Sequence, residues 1–137
     1  MFELDPVLSA DTLVVGDLPL CRVLLMNDSQ FPWLILVPRR AQLVELADLD
    51  DQAYLQFCAE SRAVAKAMMT NYAGHKMNIA ALGNVVAQLH IHHVVRFHDD
   101  PLWPAPIWGK LPAVQYTADE AARQIAELQS VLFKESA

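Results

Sequence analysis

Nine residues, Gln88-Leu89-His90-Ile91-His92-His93-Val94-Val95-Arg96, restrict the fold more than any other part of the chain. Gln88, His90 and His92 alternate with apolar residues, which is the period of a β-strand. On a strand they share one face, with neighbours roughly 7 Å apart. The residues between them, and His93, point the other way. The pattern predicts a strand over residues 89–97 that turns a packed face to a core and carries two imidazoles and an amide in line on the other.

The rest of the chain predicts what surrounds that strand. Residues 4–8 are a short lead-in. Residues 12–15 and 20–26 read as strands joined across Gly16-Asp17-Leu18-Pro19. Asn27-Asp28-Ser29-Gln30 is a polar loop, placed between two strands where a ligand can be met. Residues 33–37 form an apolar run between Pro32 and Pro38, the mark of a strand covered on both faces. Arg39-Arg40 reads as a solvated strand end. From Asp48 the period changes. Tyr54, Phe57, Ser61, Val64 and Met68 recur at three- and four-residue spacing, predicting a long helix over about 50–71 that stops at Gly74. Residues 76–80 are a further short strand, and Gly83 offers a turn or a close approach just before the histidines.

Beyond the strand, residues 101–112 hold four prolines and two tryptophans and cannot be regular structure. They are expected to form an ordered flap packed on the body or on a partner chain. Thr117-Ala118-Asp119-Glu120 is a capping-box pattern, opening a final helix to about Phe133 with Ile125, Leu128, Val131 and Leu132 as its apolar stripe. Strands that are mostly not separated by helices favour an antiparallel α+β fold: about five strands, a long central helix and a C-terminal helix in one domain, 1–137.

Composition sets limits on partners. With 54% hydrophobic and 19% charged residues the 137-residue chain is a folded globular protein. The net charge of -6 argues against bulk nucleic-acid or anionic-membrane binding, which needs a basic face. Neither a secretory signal nor an apolar run of membrane-spanning length is evident, so a cytoplasmic location is expected. Cys21 and Cys58 lie in apolar runs and are expected to be buried free thiols.

Three chemistries suit the histidine strand. His90, His92, His93 and His98 could ligate zinc, but His93 faces away and no acidic residue or cysteine shares the face, so no metal is assigned. Isolated histidines satisfied at a sheet surface are the ordinary case, and it is kept for His75, His93 and His98. For two imidazoles on one face beside a glycine turn, nucleophilic attack on phosphorus fits better. A neutral imidazole nitrogen attacks a phosphoryl centre, and a second group orients the ring. A neighbouring imidazole donates to the phosphate oxygens.

Gly83-Asn84-Val85-Val86-Ala87-Gln88-Leu89-His90-Ile91-His92-His93-Val94 resembles the signature of the histidine triad (HIT) family, His-x-His-x-His with apolar x shortly after a glycine. Leu36-Val37-Pro38-Arg39-Arg40 is similar to the family's apolar strand ending in Val-Pro-basic-basic, and the long helix follows in order. The resemblance covers about residues 10–97. It implies a HIT-like α+β fold, commonly a homodimer. It implies a hydrolase or transferase acting at the α-phosphorus of a nucleoside phosphoramidate or dinucleoside polyphosphate, through a nucleotidyl-histidine. A purine nucleotide or nucleotide conjugate is the expected ligand, and no cofactor is implied. By the same resemblance His90 is the nucleophile, His92 bonds the phosphate or assists the leaving group, and Gln88 orients His90. Asn27 or Asp28 meets the ribose, and Asn78, Gly83 and Asn84 complete the nucleotide site. The sequence departs from the pattern at three places. Gln88 stands for the first histidine, Val85 for a phosphate-contacting serine, and Pro32-Trp33-Leu34 for Pro-Gly-His. These departures motivate the alternative of a nucleotide-binding module with little or no turnover.

Overall fold

The computed structural model describes residues 1–133. The last four residues of the expected domain lie outside the described residues. The elements are α1 (Pro6–Asp11), β1 (Thr12–Asp17), β2 (Cys21–Met26), β3 (Trp33–Pro38), α2 (Asp51–Tyr72), β4 (Lys76–Ala80), β5 (Ile91–Arg96) and α3 (Ala118–Leu132). The five strands form one sheet in the order β1-β2-β3-β5-β4, every neighbouring pair antiparallel. The expected α+β architecture is the observed one, with α1 in addition.

Each face of the sheet has its own apolar layer. Val23, Leu25, Leu34, Leu36, Ile91 and Val95 pack against Phe57, Val64 and Met68 of α2. Leu24, Ile35, Val37 and Val94 pack on the opposite side against Leu8 of α1, Phe31 and Ile107. β3 is therefore buried at all six positions, the physical reason for its unbroken apolar run. Period-2 alternation does the rest on β5. His93 goes to the α2 side, where its Nε2 accepts from the Ser61 hydroxyl at 2.7 Å and its Nδ1 donates to the Ile91 carbonyl at 3.1 Å. His92 and Val94 go to the other side.

The helix ends match local chemistry. The Asp50 side chain caps α2 by accepting from the Ala53 amide at 2.8 Å. The stop differs in detail from the glycine reading. Ala73 takes the left-handed conformation (φ 50°), and Gly74 is needed because a Cβ there would lie 2.3 Å from Val95 Cγ1. Thr117 and Glu120 form the expected capping box of α3. Two sequence expectations are corrected. The histidine strand is shorter than residues 89–97, beginning at Ile91. Cys58 is exposed, on the outer face of α2, while Cys21 is buried and both are free thiols. Among the described residues no helix is long and apolar enough to cross a membrane.

Candidate functional site

Above His92 the sheet is not fully covered. α1, the segment 82–86 and the Pro/Trp segment leave a cavity of about 460 Å³ between them. Its walls are mostly apolar, with Leu8, Met26, Ile35, Val86 and Trp108 prominent. His90 and His92 form its polar end, and Asp11 and Asn84 its remaining polar wall. A narrower cleft of about 110 Å³, with Glu45, Gly83, Asn84 and Gln88 on its walls, also reaches His90. No lysine or arginine among the described residues lines either space.

The two imidazoles are fixed in different states by their partners. The ring of His90 places Nδ1 2.7 Å from the Gln88 carbonyl oxygen. A carbonyl only accepts, so Nδ1 carries the hydrogen and, in the neutral ring, Nε2 carries the lone pair. His92 is the reverse. Trp33 Nε1–H donates to His92 Nδ1 at 3.0 Å. An indole only donates, so His92 Nδ1 must be bare and its hydrogen sits on Nε2. The rings are 5.1 Å apart, edge to face, and Trp33 and Trp108 each lie 5.6 Å from His92. Burial, with smaller effects from His90 and His93, pushes the His92 imidazolium down to about 4, so this ring is neutral at physiological pH. The start of β5 and the residue before it thus place a ring nitrogen free of hydrogen in the neutral His90 beside a neutral hydrogen-bond donor on His92. Among the described residues no three His, Cys, Asp or Glu side chains are grouped so as to hold a metal ion.

Residues 8–99 match the family model described as the HIT domain. The chain belongs to the HIT family. Solved relatives agree along nearly the whole chain. A histidine triad protein from Marinobacter aquaeolei VT8 is 47% identical over 99% of each chain, with a TM-score of 0.96. A histidine triad (HIT) protein from Sinorhizobium meliloti 1021 is 39% identical over 96% of this chain and 97% of its own, TM-score 0.93. A histidine triad protein from Bradyrhizobium japonicum is 40% identical over 96% and 98%, TM-score 0.93. No curated protein sequence matches the chain.

Within this HIT fold the residues singled out from the sequence separate into two groups. His90, His92, Gly83 and Asn84 surround the cavity and cleft. At Gly83 a Cβ would sit 3.0 Å from the Val86 carbonyl oxygen, so the turn needs a residue without one. Val85, where a serine was noted as missing, is 92% exposed on the cavity rim. Asn27, Asp28 and Asn78 are turned to other tasks. Asn27 Oδ1 accepts from the Tyr116 amide, and Asp28 Oδ1 from Gln30 and the Val114 amide. Together they tie the segment before α3 to the end of β2. Asn78 Oδ1 accepts from Arg96 Nη1 at 3.0 Å. None of the three lines the cavity; Asp11, which the sequence reading did not single out, does.

Gln88 lies at the site in an unexpected way. Its carbonyl oxygen, which any residue would supply, holds His90. Its side chain turns toward the N-terminal segment, accepting from the Asp5 amide and donating to the Glu3 carbonyl, both at 2.8 Å. That segment leads into α1, whose Val7, Leu8 and Asp11 form a cavity wall. The amide therefore clamps a wall of the pocket to the histidine strand. Gln88→Ala is expected to raise the KM of a nucleotide substrate about three- to tenfold while leaving kcat within about twofold, as loss of uniform binding does. A fall in kcat with unchanged KM would instead place the side chain in the chemistry.

Proposed function

We propose that the protein is a nucleotide hydrolase or nucleotidyl transferase that acts at the α-phosphorus through a nucleotidyl intermediate on His90. The observation that carries this reading is the pair of complementary tautomers, a bare His90 Nε2 beside a His92 Nε2–H at the polar end of an apolar cavity. His90 Nε2 forms a bond to phosphorus as the bond to the leaving group breaks, and the leaving group takes its proton from solvent. Water then attacks phosphorus and gives up a proton to solvent as the N–P bond breaks, and the nucleoside monophosphate is released with the neutral His90 ring restored. His92 Nε2–H hydrogen-bonds a non-bridging oxygen as charge builds there. It is a neutral donor and supplies no proton to the leaving group. The purine rests against Leu8, Met26 and Ile35. The ribose hydroxyls meet Asp11 rather than Asn27 or Asp28, which do not line the cavity and whose Oδ1 atoms hold the Tyr116 and Val114 amides, and Asn84 meets the phosphate.

Charge favours one leaving-group class. Besides the two histidines, the ionisable residues on the walls are Asp11 and Glu45, both acidic. A polyphosphate leaving group would bring several negative charges with no cation to meet them. A phosphoramidate brings an amine. The test is AMP release from adenosine phosphoramidate and from diadenosine triphosphate at matched concentrations. A kcat/KM at least about tenfold higher for the phosphoramidate is expected, equivalent to roughly 1.4 kcal/mol. Tight AMP binding by calorimetry with no product from either compound would favour the binding-module reading, which the occupied Gln88 side chain and the apolar Val85 motivate. A cytoplasmic homodimer is part of the same proposal. The half-exposed Ile79 on β4, the last strand of the sheet, supports pairing of two copies.

A further inference from the structure

Trp33 occupies a position where the sequence departs from the family pattern, and it is 7% exposed at the start of β3, diagonally across from His92. Its indole N–H has His92 Nδ1 as its hydrogen-bond partner. The contact is directional. It exists only while Nδ1 is bare, and it fails if the ring carries its hydrogen on Nδ1 or on both nitrogens. We propose that Trp33 is a positioning residue that locks His92 in the Nε2–H tautomer, so that the imidazole meets a bound phosphoryl oxygen as a fixed neutral donor.

The surroundings of His92 leave this role to Trp33. From β3 come Trp33 and Ile35, from β4 Ala80 opposite it, and from the Pro/Trp segment Trp108; none of these titrates. α1 brings Asp11 to the cavity wall, where a carboxylate would favour an imidazolium. His90, just before β5, lines the same cavity, and His93 lies on the other face of the strand. His90 meets His92 edge to face at 5.1 Å, and its own Nδ1 is committed to the Gln88 carbonyl. His93 is tied to Ser61 and Ile91. The indole N–H is thus the group hydrogen-bonded to Nδ1, and a protonated ring would have to expel it from a buried site, leaving an unpaired donor there.

The inference rests on the proposed phosphoryl chemistry only for its kinetic consequence, so it is tested first without turnover. Nitrogen-15 NMR of the histidine side chains in the ligand-free protein is expected to show His92 as a single Nε2–H tautomer from pH 8 down to about pH 5. Trp33→Phe keeps the ring packing and removes the donor. In it His92 is expected to show a mixture of tautomers and to begin protonating at least about one pH unit higher. If Trp33→Phe does not fold, benzothienylalanine at position 33, which replaces the N–H with sulfur in the same outline, makes the same comparison. An unchanged His92 tautomer and titration in the folded variant would overturn the proposal. The kinetic arm then follows the pH dependence of kcat/KM. At pH 7.5, well above the His92 titration, the variant is expected to lose at least about threefold, because a ring with its hydrogen on Nδ1 offers no Nε2–H to the phosphoryl oxygen. The imidazolium formed at lower pH keeps its Nε2–H, so the loss relative to the parent is expected to shrink there. A uniform loss at every pH, with the NMR signature intact, would assign Trp33 to packing alone. If no substrate turns over, the NMR result still decides the lock, and failure is then that of the phosphoryl reading.

Discussion

Replacing His90 with alanine is expected to lower AMP release by at least about a thousandfold, because a missing nucleophile has no substitute within the site. His92, 5.1 Å away, is the nearest alternative, but its Nδ1 is occupied by Trp33 and its Nε2 carries hydrogen. The neighbouring imidazole cannot take over without breaking a buried hydrogen bond. Two readouts separate loss of the nucleophile from loss of binding. AMP should still bind His90→Ala within a fewfold of the parent by calorimetry, since the apolar walls from α1, β2 and β3 are untouched. Rapid acid-free quenching of the parent with a labelled substrate should trap label on the protein at His90, and the variant should trap none. Equal rates in parent and variant would remove His90 from the mechanism, and with it the nucleotidyl intermediate.

The parts of the site legible in the sequence are those that the strand period controls. His92, His93 and Val94 lie on the faces that alternation predicts because β5 is hydrogen-bonded on both sides, to β3 and β4. Gln88 escaped the same rule because the strand begins at Ile91, so no ladder dictates which way its side chain turns. Asn27 and Asp28 were placed correctly at the end of β2. Their side chains are claimed by the amides of Val114 and Tyr116, more than eighty positions later, and no local pattern announces such a partner. The same holds for Glu60, a buried carboxylate on α2 that accepts from the Leu20 and Cys21 amides at 2.8 Å and pins the hairpin to the helix. Trp33 left only the signal that Pro32-Trp33-Leu34 differs from the Pro-Gly-His that the resemblance implies. The bounds of α2 and α3 were legible to within a residue or so because caps and periodicity are local, whereas α1, read only as a lead-in over residues 4–8, is too short to show a period.

The flap offers the second large effect. Arg96 ends β5 with its side chain 1% exposed, and Asp100, four residues on, is 4% exposed. The guanidinium holds the carboxylate through two hydrogen bonds of 2.7 and 3.0 Å. The same carboxylate accepts from the Phe97 and Leu102 amides, so it also folds the turn that launches the Pro/Trp segment. Trp103 and Phe31 cover the guanidinium at 5.6 and 5.9 Å. Removing one partner strands the other charge in a dry site. Asp100→Ala is therefore expected to cost about 3–5 kcal/mol in urea denaturation, far more than an exposed pair would. Because Leu102, Ile107 and Trp108 descend from this turn onto the cavity side of the sheet, the variant should also bind nucleotide more weakly before it unfolds. The acid dependence follows from the same contact. Arg96, with help from the two amides, holds the Asp100 carboxyl down at about 2 against burial. Its folded-state value lies below its unfolded one. The stabilisation is thus fully present above the ordinary carboxylate value near 3.9 and is lost as pH falls toward 2, amounting to about 2 kcal/mol. Comparing the acid unfolding of the parent with that of Asp100→Asn isolates this share. The variant should start less stable at pH 7 and lose less between pH 4 and pH 2, whereas parallel curves would mean that the anchor carries no linked proton.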